Sequence, residues 1–457
     1  MLERSSHLPA ALDAYQQALN MDQRSPQLHV RMGATYVKLG ETDRALQSFE
    51  RALAIDPAHP DALRWVAMLH ASQGRLDQAI DAYERLLPLD PEDQFVASTL
   101  ADLYVLQGNL TKAIELYHTL IRSFGSSSQL HFNLGVLYGR VNRFEDAIEE
   151  LSRAYERSPD SLDIRVALGL TYELNHQDEQ AAAHYEAAIQ LDPFNPRLYH
   201  HAARAHLGAK QYAQAAANYQ AVLDLTPHDL EAMMGLVRVW LAQRRFDDAE
   251  RFLGQQLTQL GDQPELYVAL GIVYREAAQA EEAMRAFERA IDLREDYPQA
   301  YFYLAAQLDQ LGREPEARWN LRRTLELDPT HPDAMNYLGY LDAEAGENLE
   351  EAHALIERAL AIDPDNGAYA DSLGWVYYKM GRLDEAITSL ERAATLLDTD
   401  WVIFDHLGDA YFKRQDLPRA HRSWERALEL EPNPVAAVVI RQKLDQALLR
   451  QPAPTLH

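Results

Sequence analysis

The chain has 457 residues, 47% hydrophobic and 25% charged, with 43 Lys plus Arg against 70 Asp plus Glu and a net charge of −27. That composition belongs to a folded chain, and the negative field repels a phosphate backbone, so nucleic acid is excluded as a bulk partner. There are no cysteines, which removes disulfides, thiol catalysis and cysteine metal sites. No run of about 18 apolar residues occurs, so no membrane span is expected.

The first predicted element is a helix over Ala10 to Met21, with Leu12, Tyr15 and Leu19 on an apolar stripe. Ala11, Tyr15 and Ala18 fall in register with the second helix of the repeats that follow. Residues 1–25 are therefore expected to be a partial repeat that lacks its first helix. The residues before that helix are too few to form one. An unpaired apolar stripe at the end of a repeat array promotes fraying or association. An upstream extension or a weak homodimer through this end is the corresponding expectation.

Residues 26–434 repeat. From Ala45 an alanine recurs every 34 residues through Ala317, then after one step of 35 at Ala352, Ala386 and Ala420. The extra residue falls near Asn348. Twelve positions before each alanine (thirteen in the repeat with the insertion) lies a Gly/Ala column running from Gly33 to Gly408, with Val237 as its exception. Small residues in both columns predict two helices, A and B, in close contact. Three residues after the Gly/Ala column stands an aromatic in most repeats, as at Tyr36, Tyr104, Tyr138, Tyr274, Tyr377 and Tyr411, expected to cover that contact. Four residues after the alanine stands a large apolar residue, from Phe49 to Trp424, marking the buried stripe of helix B. Proline then ends helix B in most repeats, as at Pro57, Pro193 and Pro432. Gly125, Gly261, Glu295 and Asp398 stand in place of that proline, so those joints are expected to be looser or re-angled.

Residues 435–451 predict one more helix, with Ile440, Leu444 and Leu448 on one face. Its Arg and Lys suit an exposed outer face, which makes it the expected cap of the array. The tail, 452–457, is expected to be disordered.

With its small, aromatic and proline positions in place, this pattern resembles the tetratricopeptide repeat. The resemblance implies an all-α chain, a right-handed α-solenoid of about twelve helix-turn-helix repeats with a C-terminal capping helix. The segments NYLGYLDAEAG, YADSLGWVYYKMGRLDEA and FDHLGDAYFKRQDLPRAHRSWERAL are similar to the C-terminal repeats of bacterial tetratricopeptide proteins. Some of these are outer-membrane lipoproteins, among them adaptors that bring substrates to periplasmic proteases.

Catalytic signatures are absent: no G-x-G-x-x-G, Walker loop, G-x-S-x-G or H-E-x-x-H occurs. His200, His201 and His206 do not share one helix face, so packing rather than metal binding is expected there. Carboxylate pairs such as Glu149 and Glu150 are expected on solvated faces. No enzyme activity and no cofactor are expected.

The columns use one stripe of helix A. In tetratricopeptide proteins the other stripe lines the ligand groove. Here its N-terminal third is mildly apolar, with Val30, Met68 and Phe95. The middle carries a basic ladder of Arg204, Arg238 and Arg275, of which the first two should stack; the competing structural account pairs these arginines with neighbouring acids. The C-terminal third is aromatic and acidic: Asn336, Tyr340, Asp371, Trp375, Tyr378, Asp405, Asp409 and Phe412, with Lys379 and Lys413. Because the core columns are already filled, the three arginines and the C-terminal residues other than Lys413, twelve in all, are the candidate partner-binding residues. No adjacent pair of repeats carries the carboxylate clamp of chaperone-binding tetratricopeptide proteins.

The expected function is a scaffold or adaptor that binds extended or helical segments of other proteins, without nucleic acid or membrane span. The alternative is the substrate-recognition or regulatory part of an enzyme whose catalytic domain is elsewhere. The chain as given is expected in the cytoplasm. An upstream signal would instead place it at the periplasmic face of a bacterial outer membrane.

Overall fold

The computed structural model of the chain describes residues 7–449. The tail expected to be disordered at 452–457, residues 450–451 of the last expected helix, and residues 1–6 of the partial first repeat lie outside the described residues. Among the described residues the fold is an all-α solenoid of helix-turn-helix repeats, with 26 α-helices, one 3-10 turn and no strand. None of these helices is long and apolar enough to cross a membrane.

The chain forms two compact units, Met1–Val239 and Trp240–His457. In the first, α1 (Leu8–Met21) precedes the A/B pairs α2 (Pro26–Leu39) and α3 (Thr42–Ile55), α4 (Pro60–Ser72) and α5 (Leu76–Leu86), and α6 (Gln94–Gln107) and α7 (Leu110–Phe124). The pairs α8 (Ser128–Arg140) and α9 (Phe144–Arg157), α10 (Leu162–Leu174) and α11 (Asp178–Leu191), and α12 (Pro196–Gly208) and α13 (Tyr212–Leu225) follow. Helix α14 (Leu230–Ala242) runs through the boundary. The second unit continues with α15 (Phe246–Leu260), then α16 (Pro264–Glu276) with α17 (Ala280–Leu293), and α18 (Pro298–Gln310) with α19 (Glu314–Leu327). Its last helices are α20 (Pro332–Ala345) with α21 (Leu349–Ile362), α22 (Gly367–Met380) with α23 (Leu383–Leu396), α24 (Trp401–Lys413) with α25 (Leu417–Glu429), and α26 (Pro434–Leu449).

The periodic columns explain why each pair packs. Every alanine from Ala45 to Ala420 in the 34-residue series is fully buried, and the large residues four positions later are buried with them. The Gly/Ala column receives those large side chains. A Cβ on Gly271 would sit 2.4 Å from the Phe287 ring, and one on Gly408 would sit 2.4 Å from the Trp424 indole. These A helices therefore approach the B helices at a distance that only glycine allows.

The aromatic column does more than cover the A/B contact. Its hydroxyls reach the B helix of the preceding repeat: Tyr104 donates to Glu84, Tyr274 to Glu250 at 3.0 Å, and Tyr411 to Glu391. Tyr138 and Tyr377 hydrogen-bond His118 and His353 at the same place, at 2.6 and 2.8 Å. One residue type thus seals a repeat and ties it to its neighbour.

A further column has no hydrophobic signature. At each A-to-B turn one residue has positive φ: glycine at Gly40, Gly74, Gly108, Gly312, Gly346 and Gly381, but Asn142, His176, Lys210, Arg244, Ala278 and Gln415 elsewhere. The left-handed conformation ends helix A and lets the chain reverse. The inserted residue near Asn348 appears as a second positive-φ position, with Asn348 at φ 48° after Gly346 at 71°. Where Gly125 and Gly261 replace proline, helices α7 and α15 run to 15 residues and end on glycines at φ 84° and 78°.

Two expectations need correction. Glu150 is not on a solvated face. It is buried, paired with buried His131 and with Arg153 at 2.6 Å, because its position on α9 faces α8. Lys443 of α26 is likewise not on an outer face, and its partners are described below. In α1, Leu19 is buried while Leu12 and Tyr15 are half-buried.

Candidate functional site

The C-terminal candidates converge within the second unit, on α20, α22, α24 and α26. Helical spacing places Asn336, Tyr340 and Glu344 one turn apart on α20. The 34- to 35-residue period sets Asp371 and Trp375 of α22 beside them, then Asp405 and Asp409 of α24.

Trp375 is the centre of the cluster, and it is not a groove surface residue. It is 7% exposed. Its indole stacks on Tyr378, with centroids 4.7 Å apart and planes at 6°, and on His406, at 4.0 Å and 17°. The Nε1–H donates to the Glu344 carboxylate, and the Lys379 ammonium lies 4.9 Å from the ring centroid. The side chain is buried because helix α24 brings His406 over it, an interaction no local pattern announces.

Asp371 is also buried, and both of its oxygens lie 3.0 Å from Nδ1 of His406. Burial by itself lowers the His406 pKa, but Asp371, with Asp405 and Asp409 adding to it, holds the value above the ordinary histidine range. The imidazolium so favoured faces the indole, a cation–π arrangement.

Asp405 and Asp409 clamp Lys443 of α26, at 2.8 and 2.9 Å from Asp405 and 2.8 Å from Asp409. Burial pulls the Lys443 pKa down, but the two carboxylates outweigh it and raise it, while burial raises that of Asp409. Lys443 therefore docks α26 onto α24 through charge, alongside the buried Ile440 and Ala447.

Lys379 and Lys413 repeat one contact. Lys379 donates to the backbone carbonyl of Glu344, and Lys413 to that of Tyr378, each at 3.1 Å. Each lysine thus meets the C-terminal end of the preceding A helix, where the negative end of the helix dipole favours a cation. Lys413 also lies 4.1 Å from the Tyr378 ring centroid. Phe412 packs on Trp424 at 5.5 Å. Tyr340 is half-buried, its pKa raised by burial and by Glu344 and Asp371. Asn336 differs from its neighbours: its Oδ1 is buried without a hydrogen-bond partner.

The arginine ladder separates. Arg204 is held by Glu173 of the preceding A helix, with Nε 3.1 Å from the carboxylate, which also accepts from Tyr185 at 3.0 Å. Arg238 is exposed and forms no ion pair among the described residues. In the second unit Arg275 lies 3.3 Å from Glu276 and 5.5 Å from the Tyr303 ring centroid. Glu173 thus holds the Arg204 guanidinium toward α10. Of the apolar candidates, Val30 is buried, whereas Met68 and Phe95 are exposed.

Sequence reasoning missed His406, Lys443 and Glu344. His406 carried one signal, an imidazole between Asp405 and Asp409 on a helix rich in apolar residues. Lys443 and Glu344 carried none. His206, in the aromatic column, is buried and meets Gln211 at 2.6 Å and Glu186 at 3.0 Å. No group of three His, Asp or Glu residues that could hold a metal ion occurs among the described residues.

Family models described as tetratricopeptide repeat match residues 30–94, 132–196 and 310–367; 71–131, 206–270 and 343–400; 264–297; and 402–434. No curated protein matches the sequence. Among solved structures, the chain is similar to the APC/C hetero-tetramer Cut9–Hcn1, at 15% identity and a TM-score of 0.48, covering 97% of this chain and 93% of that one. It is similar to yeast Tom70 at 14% identity and a TM-score of 0.44, covering 93% and 96%. The MamA protein matches at 24% identity and a TM-score of 0.34, covering 36% of this chain and 89% of that one.

Proposed function

The chain belongs to the tetratricopeptide-repeat family, and from that premise we propose that it is a scaffold whose A-helix stripes hold segments of partner proteins. The observation that carries this is a division of labour among stripe residues. Asp371, Trp375, Tyr378, Asp405, Asp409, Lys379 and Arg204 are engaged by other side chains or carbonyls of the chain, so they shape and stiffen the stripe. Arg238 and Asn336 Oδ1 are left without such partners. A buried acceptor with no donor is costly, and a backbone N–H from a bound segment satisfies it. An exposed arginine with no carboxylate suits an acidic side chain of a partner. Tyr340, one turn from Asn336, supplies ring surface for the same segment. Residues 26–434 act as the binding array and 435–451 as its cap.

The similarity of the last repeats to envelope adaptors supports a finer version, in which the partners are a protease and its substrate. The test is affinity capture from a lysate of the source organism, followed by quantitative mass spectrometry. Arg238→Glu or Asn336→Leu should lower capture of at least one specific partner about tenfold while the melting curve stays unchanged. Identical captured sets for the wild type and both variants would refute the assignment. In the finer version a protease is among the partners lost.

A further inference from the structure

A second surface lies outside the A-helix stripe. Helices α17, α18 and α19 enclose an open cavity of about 380 Å³. Its aromatic wall is Trp319 with Tyr301, their rings 6.2 Å apart at 61°. Of the six tryptophans, Trp319 alone is mostly exposed, at 61%. A tryptophan left in water over an apolar cavity marks an interaction surface.

Two observations define what the cavity takes. The first is Asn320, which lines it and is 5% exposed. Its Nδ2 donates to the Glu316 carbonyl at 2.9 Å. A carbonyl can only accept, so the amide orientation is fixed and Oδ1 is the other terminus. That Oδ1 has no hydrogen-bond partner. The cavity therefore holds a buried acceptor waiting for a donor. The second is charge. Glu288 and Asp292, one turn apart on α17, line the cavity and form no ion pair among the described residues. Arg313, the cation that lines the cavity, is hydrogen-bonded by Glu316 and also feels the charge of Glu288, while Arg323, held by Glu326, lies 5.9 Å from the Tyr301 ring centroid.

We propose that this cavity receives an arginine side chain from a segment of a partner protein. The guanidinium lies on the Trp319 indole, donates to Asn320 Oδ1, and is balanced by Glu288 and Asp292. The aliphatic stem packs on Leu308. Arginine fits better than lysine because three acceptor side chains and a flat ring line the same cavity, and a planar group with five donors serves both, whereas an ammonium is compact and strongly hydrated. This surface shares no residue with the stripe proposed above and stands independently of it.

The experiment uses the full chain and fluorescein-labelled Gly-Leu-X-Leu-Gly peptides, in which X is arginine, citrulline, lysine or glutamate, read by fluorescence anisotropy. The arginine peptide should bind about tenfold more tightly than the citrulline peptide, which keeps the shape and loses the charge. Trp319→Ala and Asp292→Asn should each weaken it by a similar factor, and added salt should weaken it further. Trp319 is exposed, so its removal leaves folding intact, and the peptide series needs no variant at all. Equal affinity for arginine and citrulline, tighter binding of lysine, no effect of Trp319→Ala, or no saturable binding below about 1 mM would each overturn the proposal. None of these outcomes alters the capture experiment on Arg238 and Asn336.

Discussion

Replacing Trp375 with alanine tests the least obvious assignment in the chain. Its position in the repeat marks it as a surface residue, whereas its surroundings make it core. Removing a buried tryptophan costs about 3–5 kcal/mol through lost burial and the cavity left behind. The lost side chain is 7% exposed, stacks on Tyr378 and His406, and donates to Glu344. Aromatic stacking adds about 0.5–1.5 kcal/mol, so the upper half of the range is expected. Repeat arrays open locally, so the loss should appear first in α22 and α24 and not as a uniform shift. Hydrogen exchange with mass spectrometry should show protection in those helices falling by about 10³- to 4 × 10³-fold, at one decade per 1.4 kcal/mol. Trp424→Ala, which empties the space beside Gly408, should cost a similar amount in α24 and α25. Trp319→Ala should stay within about 0.5 kcal/mol of wild type, as exposed positions do. If Trp375→Ala instead matched Trp319→Ala, the stacked cluster would not be a packed core and the reassignment would fail.

Gly271→Ala should destabilise by about 1–2 kcal/mol, because overpacking against the buried Phe287 exceeds the roughly 1 kcal/mol gained in helix propensity. Urea melts of the double variant with Phe287→Leu should recover most of that loss, and strict additivity would refute the close-approach argument. Ala278→Gly should stabilise by about 1 kcal/mol, since alanine holds φ at 60° in the turn before α17; a lower urea midpoint would contradict it. The pH dependence has a definite sign. The folded pKa of His406 is raised, so its contribution is complete below the ordinary value of about 6.5 and is lost as pH climbs through the folded value. Exchange protection of α24, corrected for intrinsic rate, should fall over that window and lose its slope in Asp371→Asn. Protection that rises with pH would refute the imidazolium assignment.

The sequence by itself determined the repeat. Burial that recurs every 34 residues leaves its mark on composition, because a position facing another helix at close range accepts only Gly or Ala, and the position opposite must fill the remaining space. The columns from Gly33 to Gly408 and from Phe49 to Trp424 were legible for that reason. The positive-φ turn column was not, because half of it is Asn, His, Lys, Arg, Ala or Gln, residues whose conformation is imposed by the two helices they join. The candidate site was legible only as a stripe. Which of its members remain available depended on partners a repeat or more away: Glu173 takes Arg204, His406 covers Trp375 and Asp371, and Lys443 takes Asp405 and Asp409. Side-chain pairing across successive A helices is set by how the repeats stack, and neighbours separated by 31 to 38 residues leave no periodic trace in composition. Tertiary structure alone therefore separated the residues that stiffen the stripe from Arg238 and Asn336, and exposed Trp319 on a surface the repeat pattern does not mark.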